Sequence, residues 1–465
     1  MNFSHSITLI LTCLGLQSFP APAGAAPGDP SAEDEIIDLA AALARVYEQH
    51  PDLRVPRADL GEVQAQVQRA RAGRWPKGEI VGLFGIVNGA QVGEVPDGLP
   101  QSLAPLFSPD DQDDVLNDLG FFTRNELRLT QPIYTFGKIS NGIEAAKRGV
   151  QAQRAEFMRR QQQVALELKR IYYGYKLAAA VGKVLREGEK GFAEAAEKAR
   201  ARMESGEVEQ SAVLRLEIAR NKLRRRVLQV DRQQAMALLA FRRAIGSPLD
   251  SGTRPDDTPL KPVELAGTAP EVGLVETLPA FKAAQLGVRS RQSALEVAKA
   301  KLYPDLFVGV RALWAWAPSR DDIANPFLFD QFNILQGGPF LGVRWNLDLA
   351  TLRAEVALAR AEQGKVEARL EQARSGLPLA IERARLSVNE AQAALELARS
   401  TRKAGRALSL LAATNFSIGL GEPKEVLESL GTYVESATEY QRAVFDYNIA
   451  VAELSEVTGR EMARF

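Results

Sequence analysis

From Lys138 to about Met203 the chain has no proline and is rich in Ala, Glu, Arg, Lys, Gln and Leu. These are strong helix formers. Val164, Leu168, Ile171, Tyr175 and Ala178 recur at spacings of 4, 3, 4 and 3, the seam of a coiled coil. The pattern predicts a single helix, roughly 100 Å long at about 1.5 Å per residue. Ordinary globular helices average about 11–12 residues. A rod of this length rules out a string of compact domains, so the 465 residues are expected to form one elongated body. A strand feeds the rod. Leu127, Leu129 and Ile133 fall on one face of Phe121–Tyr134, and Glu126, Arg128 and Thr130 fall on the other.

In chain order, residues 34–74 read as helical, interrupted at His50-Pro51 and Pro56, and stopped by Pro76. Glu79–Val87 alternates like a strand, with Ile80, Phe84 and Ile86 on one side. A Pro-, Gly- and Asp-rich loop joins it to Phe121. Ser205-Gly206 breaks the long helix, and a second helix runs from Val208 to Ile245. Five prolines then mark residues 247–273 as a linker.

After the linker the pattern starts again. At an offset of 228, Leu53 meets Phe281, Ala70 meets Ala298 and Trp75 meets Tyr303. Leu306–Val310 reads as a third strand, residues 317–338 as a loop, and Phe340–Leu349 as the fourth strand. A second long helix spans about Ala350–Asn415, with a kink expected at Gly376–Pro378. At an offset of 213, Gly206 meets Gly419 and Gly246 meets Gly459. The expected organisation is therefore two repeats, residues 26–246 and 274–465, joined by the linker.

Residues 1–25 read as a secretory signal. Ile7–Leu16 is apolar and uncharged, and Ala21-Pro22-Ala23 and Ala23-Gly24-Ala25 fit a small-x-small cleavage site. Cys13 follows Thr12 where a lipoprotein signal needs a smaller residue, so lipid anchoring is not expected. Cleavage would leave no cysteine and one histidine, His50, which excludes disulfides, thiol chemistry and His/Cys metal sites. No nucleophile elbow or phosphate loop is present, so no catalysis and no cofactor are expected. Lys+Arg and Asp+Glu balance at 58 each, which gives no draw toward nucleic acid. Tyr172, Tyr173 and Tyr175 are read as helix packing.

Four strands of about 9–11 alternating residues have the length for a tilted membrane crossing. All four tryptophans, Trp75, Trp314, Trp316 and Trp345, lie on or beside them, as in an aromatic girdle. Four strands cannot close a barrel, and an open edge cannot lie in lipid. If membranous, the strands require several chains per barrel; a trimer supplies twelve.

At this point the chain resembles the TolC-type outer-membrane channels, the outer membrane efflux proteins. The resemblance rests on Ala70–Pro76 and its counterpart Ala298–Pro304, on Gln131–Gly137, on Ser205–Val208, on Gly419 through Leu427, and on Phe445–Asn448 running to Gly459. It implies a mainly α fold with a membrane β-barrel part. Duplicated strand–long-helix repeats would form a homotrimer with a 12-stranded β-barrel in outer-membrane lipid, continued by a 12-helix α-barrel through the periplasm. It also implies an exit duct for a tripartite efflux pump or type I secretion system, passive and coupled through a periplasmic adaptor to an inner-membrane transporter. The family's proline-containing second junction is replaced here by Trp345–Ala350. The family's tip aspartates correspond to Ala212 in the first repeat and Glu425 in the second.

The candidate gate is thus Glu425, with Glu209, Gln210, Glu422 and Lys424 on the same rim beside the helix-break tips Gly206 and Gly419. Glu425 is equally readable as a first-turn helix acid. Glu126, Arg128, Arg344 and Asp348 are candidate pore-lining strand residues, for which plain solvation of an inward face is the competing account. A non-transporting envelope scaffold of the same fold is the alternative function, and conductance separates the two.

Overall fold

The computed structural model describes residues 35–88, 97–100, 119–265, 275–276, 278–320 and 331–464. The expected signal segment lies outside the described residues. A short strand β1 (Ile36–Ile37) precedes α1 (Leu39–Gln49) and α2 (Pro51–Ala72). Then come β2 (Lys77–Asn88), β3 (Leu119–Tyr134), α3 (Lys138–Glu204) and α4 (Gln210–Ala244). The linker holds β4 (Arg254–Pro255) and β5 (Glu264–Leu265). The order of helix, two strands and two helices then recurs as α5 (Pro279–Ala300), β6 (Asp305–Trp316), β7 (Ile334–Arg344), α6 (Leu349–Ser417) and α7 (Pro423–Thr458). Strand β8 (Ala463–Arg464) ends the chain.

The four long strands form one antiparallel sheet in the order β2-β3-β6-β7, so β2 and β7 are its edges. Each strand pair leads into a long helix. The turn into α3 is built on aromatics. Phe136 takes a left-handed backbone (φ +50), stacks on Tyr303 of the second half at 5.2 Å and meets Tyr134 edge-on at 4.7 Å. Left-handed backbone in a bulky residue costs about 1–2 kcal/mol, and these two ring contacts offset it. Lys138 then reaches Asp305 at 2.8 Å, tying the start of α3 to the start of β6.

The helical seam packs as its spacing requires. Val164, Leu168, Tyr172 and Tyr173 are buried with Val46, Leu53, Phe241, Ile245 and Val444 in one core. A second core near the far end joins Phe192, Val213, Leu216, Phe416 and Val426. The linker is held by hydrogen bonds rather than by chance contact. Asn448, only 1% exposed, donates from Nδ2 to the Lys261 carbonyl at 2.8 Å and accepts from the Val263 N–H at 2.9 Å. The Phe445–Asn448 stretch thereby pins the linker to α7.

Several expected boundaries differ. Pro56 does not interrupt α2; the carbonyl it leaves unbonded belongs to exposed Asp52, where water serves. Helix α6 is continuous through Gly376 and Pro378, where the kink is expected. The third strand continues past Val310 to Trp316, and the fourth begins at Ile334 and ends at Arg344. Asp348 is therefore not a strand residue. The Asp348 N–H bonds Asn346 Oδ1 at 3.1 Å, and its carboxylate caps α6 by accepting from the Thr351 N–H at 3.2 Å. An Asx turn followed by an N-cap outweighs the continuing apolar alternation of Trp345 and Leu347.

Asp256 in the linker pairs with the buried Lys176 and accepts from the Tyr172 and Thr258 hydroxyls, each at 3.0 Å. Burial pushes its carboxyl pKa up, but the bonds from Lys176, Tyr172 and Thr258 outweigh burial and hold it below the usual range. A depressed folded pKa stabilises the fold above the unfolded value of about 3.9. That contribution is lost as pH falls through the folded value. Asp256→Asn leaves the buried Lys176 ammonium with the Thr258 hydroxyl but no carboxylate, and should destabilise the neutral-pH protein by about 3 kcal/mol. Thermal unfolding of both proteins between neutral pH and pH 3 should show the gap narrowing below about pH 4.

Candidate functional site

Two surfaces at opposite ends of the long helices carry the candidate residues. The first is the sheet. Directly opposed residues share a face. Ile80 faces Leu127, Leu129 faces Val310, and Val308 faces Leu341, so these lie together with Phe84, Ile86, Trp314 and Trp316. This face is apolar and exposed: Ile80 is 73% exposed and Leu341 74%. At its helix end Trp75, Tyr134, Tyr303 and Trp345 are half exposed or more; Trp314 and Trp316 lie at its other end. A 12-residue strand tilted by about 45° covers roughly 26 Å, the height of an outer-membrane apolar band.

The opposite face carries charge. Glu79, Arg128 and Arg311 stand in one cross-strand row, Val81, Glu126 and Leu313 in the next, and Leu83, Arg124 and Ala315 in the third. Lys77 and the opposed pair Asp305 and Arg344 fall on the same face. Arg128 and Arg311 oppose each other directly, which alone is destabilising. Glu126 resolves the conflict, accepting from Arg128 at 2.7 Å and Arg311 at 2.9 Å. Arg344 lies over the Phe307 ring at 5.1 Å. Of the four candidate pore residues, Glu126, Arg128 and Arg344 therefore share this face. Asp348 sits beyond the strand, as the cap of α6. Arg311 was not read from the sequence, because the third strand was expected to stop at Val310.

The second surface is the far end, where α3 turns into α4 and α6 into α7. Both turns close alike. The Glu207 N–H reaches the Arg202 carbonyl and the Leu420 N–H the Asn415 carbonyl, each at 2.9 Å. Gly206 has φ +76 and Gly419 φ +83. A Cβ added to either would meet nothing within 4 Å, so backbone conformation alone demands glycine.

Arg202 was also missed from the sequence, and it brings the two turns together. Its guanidinium bonds Glu207 at 3.1 Å and the Phe416 and Gly421 carbonyls of the other turn at 3.4 and 3.5 Å, and lies over the Phe416 ring at 5.0 Å. Glu209 and Gln210 at the start of α4 thus share one end of the molecule with Glu422, Lys424 and Glu425 at the start of α7. All five side chains are exposed. Glu209 accepts from the Ser211 hydroxyl at 3.0 Å, and Lys424 approaches Glu428 at 4.0 Å. Glu425 sits in the first turn of α7, where a carboxylate complements the helix dipole. Among the described residues no group of three or more His, Cys, Asp or Glu side chains is arranged to hold a metal, and no helix is long and apolar enough to cross a membrane.

A sheet with an exposed apolar face, continued by helices of about 100 Å, is the architecture of outer-membrane channels. Solved structures share it across nearly the whole chain. The outer-membrane channel OprN matches at 17% identity and a TM-score of 0.71, over 93% of this chain and 96% of its own. VceC of Vibrio cholerae matches at 15% and 0.72, over 91% and 96%. The Neisseria gonorrhoeae MtrE channel, in its open state, matches at 14% and 0.71, over 94% of each. No curated protein matches. The outer membrane efflux protein model matches residues 123–247 and 274–460, and the chain belongs to that family. It is an outer-membrane protein and is not an enzyme.

Removing the Arg202 clasp should loosen both turns. In Arg202→Ala, amide exchange at 206–210 and 419–425 should rise about tenfold, from the loss of hydrogen bonds to a charged group. The test is exchange mass spectrometry; unchanged protection at 419–425 would show that Arg202 does not join the turns.

Proposed function

We propose that three copies of this chain form a passive exit duct through the outer membrane. An inner-membrane transporter would drive it, and a periplasmic adaptor would join the two, in a tripartite efflux pump or type I secretion system. The observation that carries the reading is the sheet: four strands, an exposed apolar face and two open edges. In lipid each unpaired backbone group costs several kcal/mol. Edge β7 of one copy pairing with edge β2 of the next removes that cost, and three copies supply twelve strands. The same rotation sets α3, α4, α6 and α7 of each copy into a tube of twelve helical columns. In this reading residues 26–246 and 274–465 are the two repeats, 247–273 joins them, and 1–25 is the removed signal.

The far turns are the proposed gate and docking surface. Threefold symmetry would bring three Glu425 carboxylates around one axis, with Glu209, Gln210, Glu422 and Lys424 on the rim. Close like charges repel or attract cations, so such a ring sets passage at a narrow tip. Helix dipole compensation and gating are compatible uses of the same carboxylate.

Electron microscopy of detergent-extracted protein should show a threefold tube well over 100 Å long at three times the chain mass. A water-soluble monomer would sink the duct. In planar bilayers Glu425→Ala should raise single-channel conductance or abolish divalent-cation block, and currents identical to wild type would remove Glu425 from the gate. Charge reversal at Glu209 and Lys424 together should lower adaptor crosslinking and export; if both persist, docking lies elsewhere.

A further inference from the structure

We propose that the strand section of this duct is an anion-preferring wall, set by arginines and selecting for solutes that carry a carboxylate, sulfate or phosphate. The inference deepens the duct reading and rests on it. The charged face of the sheet holds five cations against three carboxylates. The excess is built into the pairing. Arg128 and Arg311 share the single carboxylate of Glu126, so that cluster keeps a net positive charge. Asp305 is taken by Lys138, which leaves Arg344 over an aromatic ring and without that acid. The Arg124 side chain makes no hydrogen bond or ion pair among the described residues and is only partly buried.

The three cross-strand rows stack at about 6.6 Å, two residues of strand rise. Arg124 therefore stands one row from Glu126, within about one Debye length at physiological salt, and two rows, about 13 Å, from Arg128 and Arg311. Three copies would repeat this patch around the wall. Guanidinium is the side chain best matched to oxyanions, being planar, always charged and able to donate two parallel hydrogen bonds. Glu126 holds two of the arginines in place and mutes them at once.

The segment between Asn88 and Leu119 has seven acidic and no basic residues in its sequence. The wall is read by difference between variants, which leaves the charges of that segment unchanged. The experiment is the reversal potential of the full-length protein in planar bilayers under a KCl gradient. Arg124→Gln should lower the chloride-to-potassium permeability ratio by about twofold near 0.1 M salt, since a wall charge acts over about 10 Å there. Arg124→Gln with Arg311→Gln should lower it further. Glu126→Gln should move the ratio the other way, which general damage to the sheet would not do. All shifts should fade at 1 M salt, where the Debye length is about 3 Å. An unchanged ratio in Arg124→Gln, or a shift of the same sign in Glu126→Gln, overturns the proposal. Absence of any current in the wild type overturns the duct reading itself, and this inference with it.

Discussion

An unpaired backbone amide cannot be left in hydrocarbon, and the rest of this molecule follows from that constraint. The sheet presents apolar side chains on one face and ends at β2 and β7. Water would satisfy those edges; lipid would not. A helical membrane protein meets the requirement within each segment, whereas a β protein must close on itself. Four strands are too few to close with a filled or open interior. Copies related by symmetry would make good the shortage, which is why the proposed duct needs more than one chain.

The helices inherit that arrangement. Each strand pair ends in a turn that launches a long helix, and each long helix is folded back by a left-handed glycine at the far end. The shorter helices return and stop at two more such glycines, Gly246 (φ +73) and Gly459 (φ +65). At Gly206 and Gly419 no neighbour restricts the side chain, so the residue is fixed by φ alone. Between the ends, the linker is sewn onto α7 by the two backbone bonds of Asn448 and onto α3 by the Lys176–Asp256 pair. These polar ties matter because the linker has little apolar surface to bury.

Much of this was legible in the sequence, and the reasons are local. A proline-free seam fixes the long helices. Period-two alternation fixes strand faces, and paired glycines fix the turns. Some of the misreadings were decided by hydrogen bonds that the pattern does not encode. Trp345 and Leu347 continue the alternation of β7, yet the Asn346 and Asp348 side chains capture backbone N–H groups and end the strand. Pro56 looks like a break, but the carbonyl it leaves belongs to an exposed residue. The tyrosines on α3 were read as packing, and they are buried; the Tyr172 hydroxyl also serves Asp256, which burial pattern alone cannot show. Arg202 was invisible because its partners are carbonyls 214 and 219 residues away.

The two far turns are alike in backbone and unlike in charge, and that difference bears on the gate. At the start of α7, Glu425 sits in the first turn, and its side chain makes no hydrogen bond or ion pair among the described residues. At the start of α4 the corresponding residue is Ala212, and the N-cap Glu209 engages the Ser211 hydroxyl instead. Dipole compensation consumes none of a carboxylate's charge, whereas hydrogen bonding fixes its position. In a threefold assembly the α7 turns would supply three mobile carboxylates, and the α4 turns three that are held close to their own helix. At the position of Glu425 and Ala212 such a ring would hold three carboxylates, where an acid after both breaks would give six. Since repulsion grows with the product of charges, such a tip would open against a weaker electrostatic barrier and bind divalent cations less tightly. The clasp of Arg202, which sits across both turns, would then carry more of the work of holding that end together.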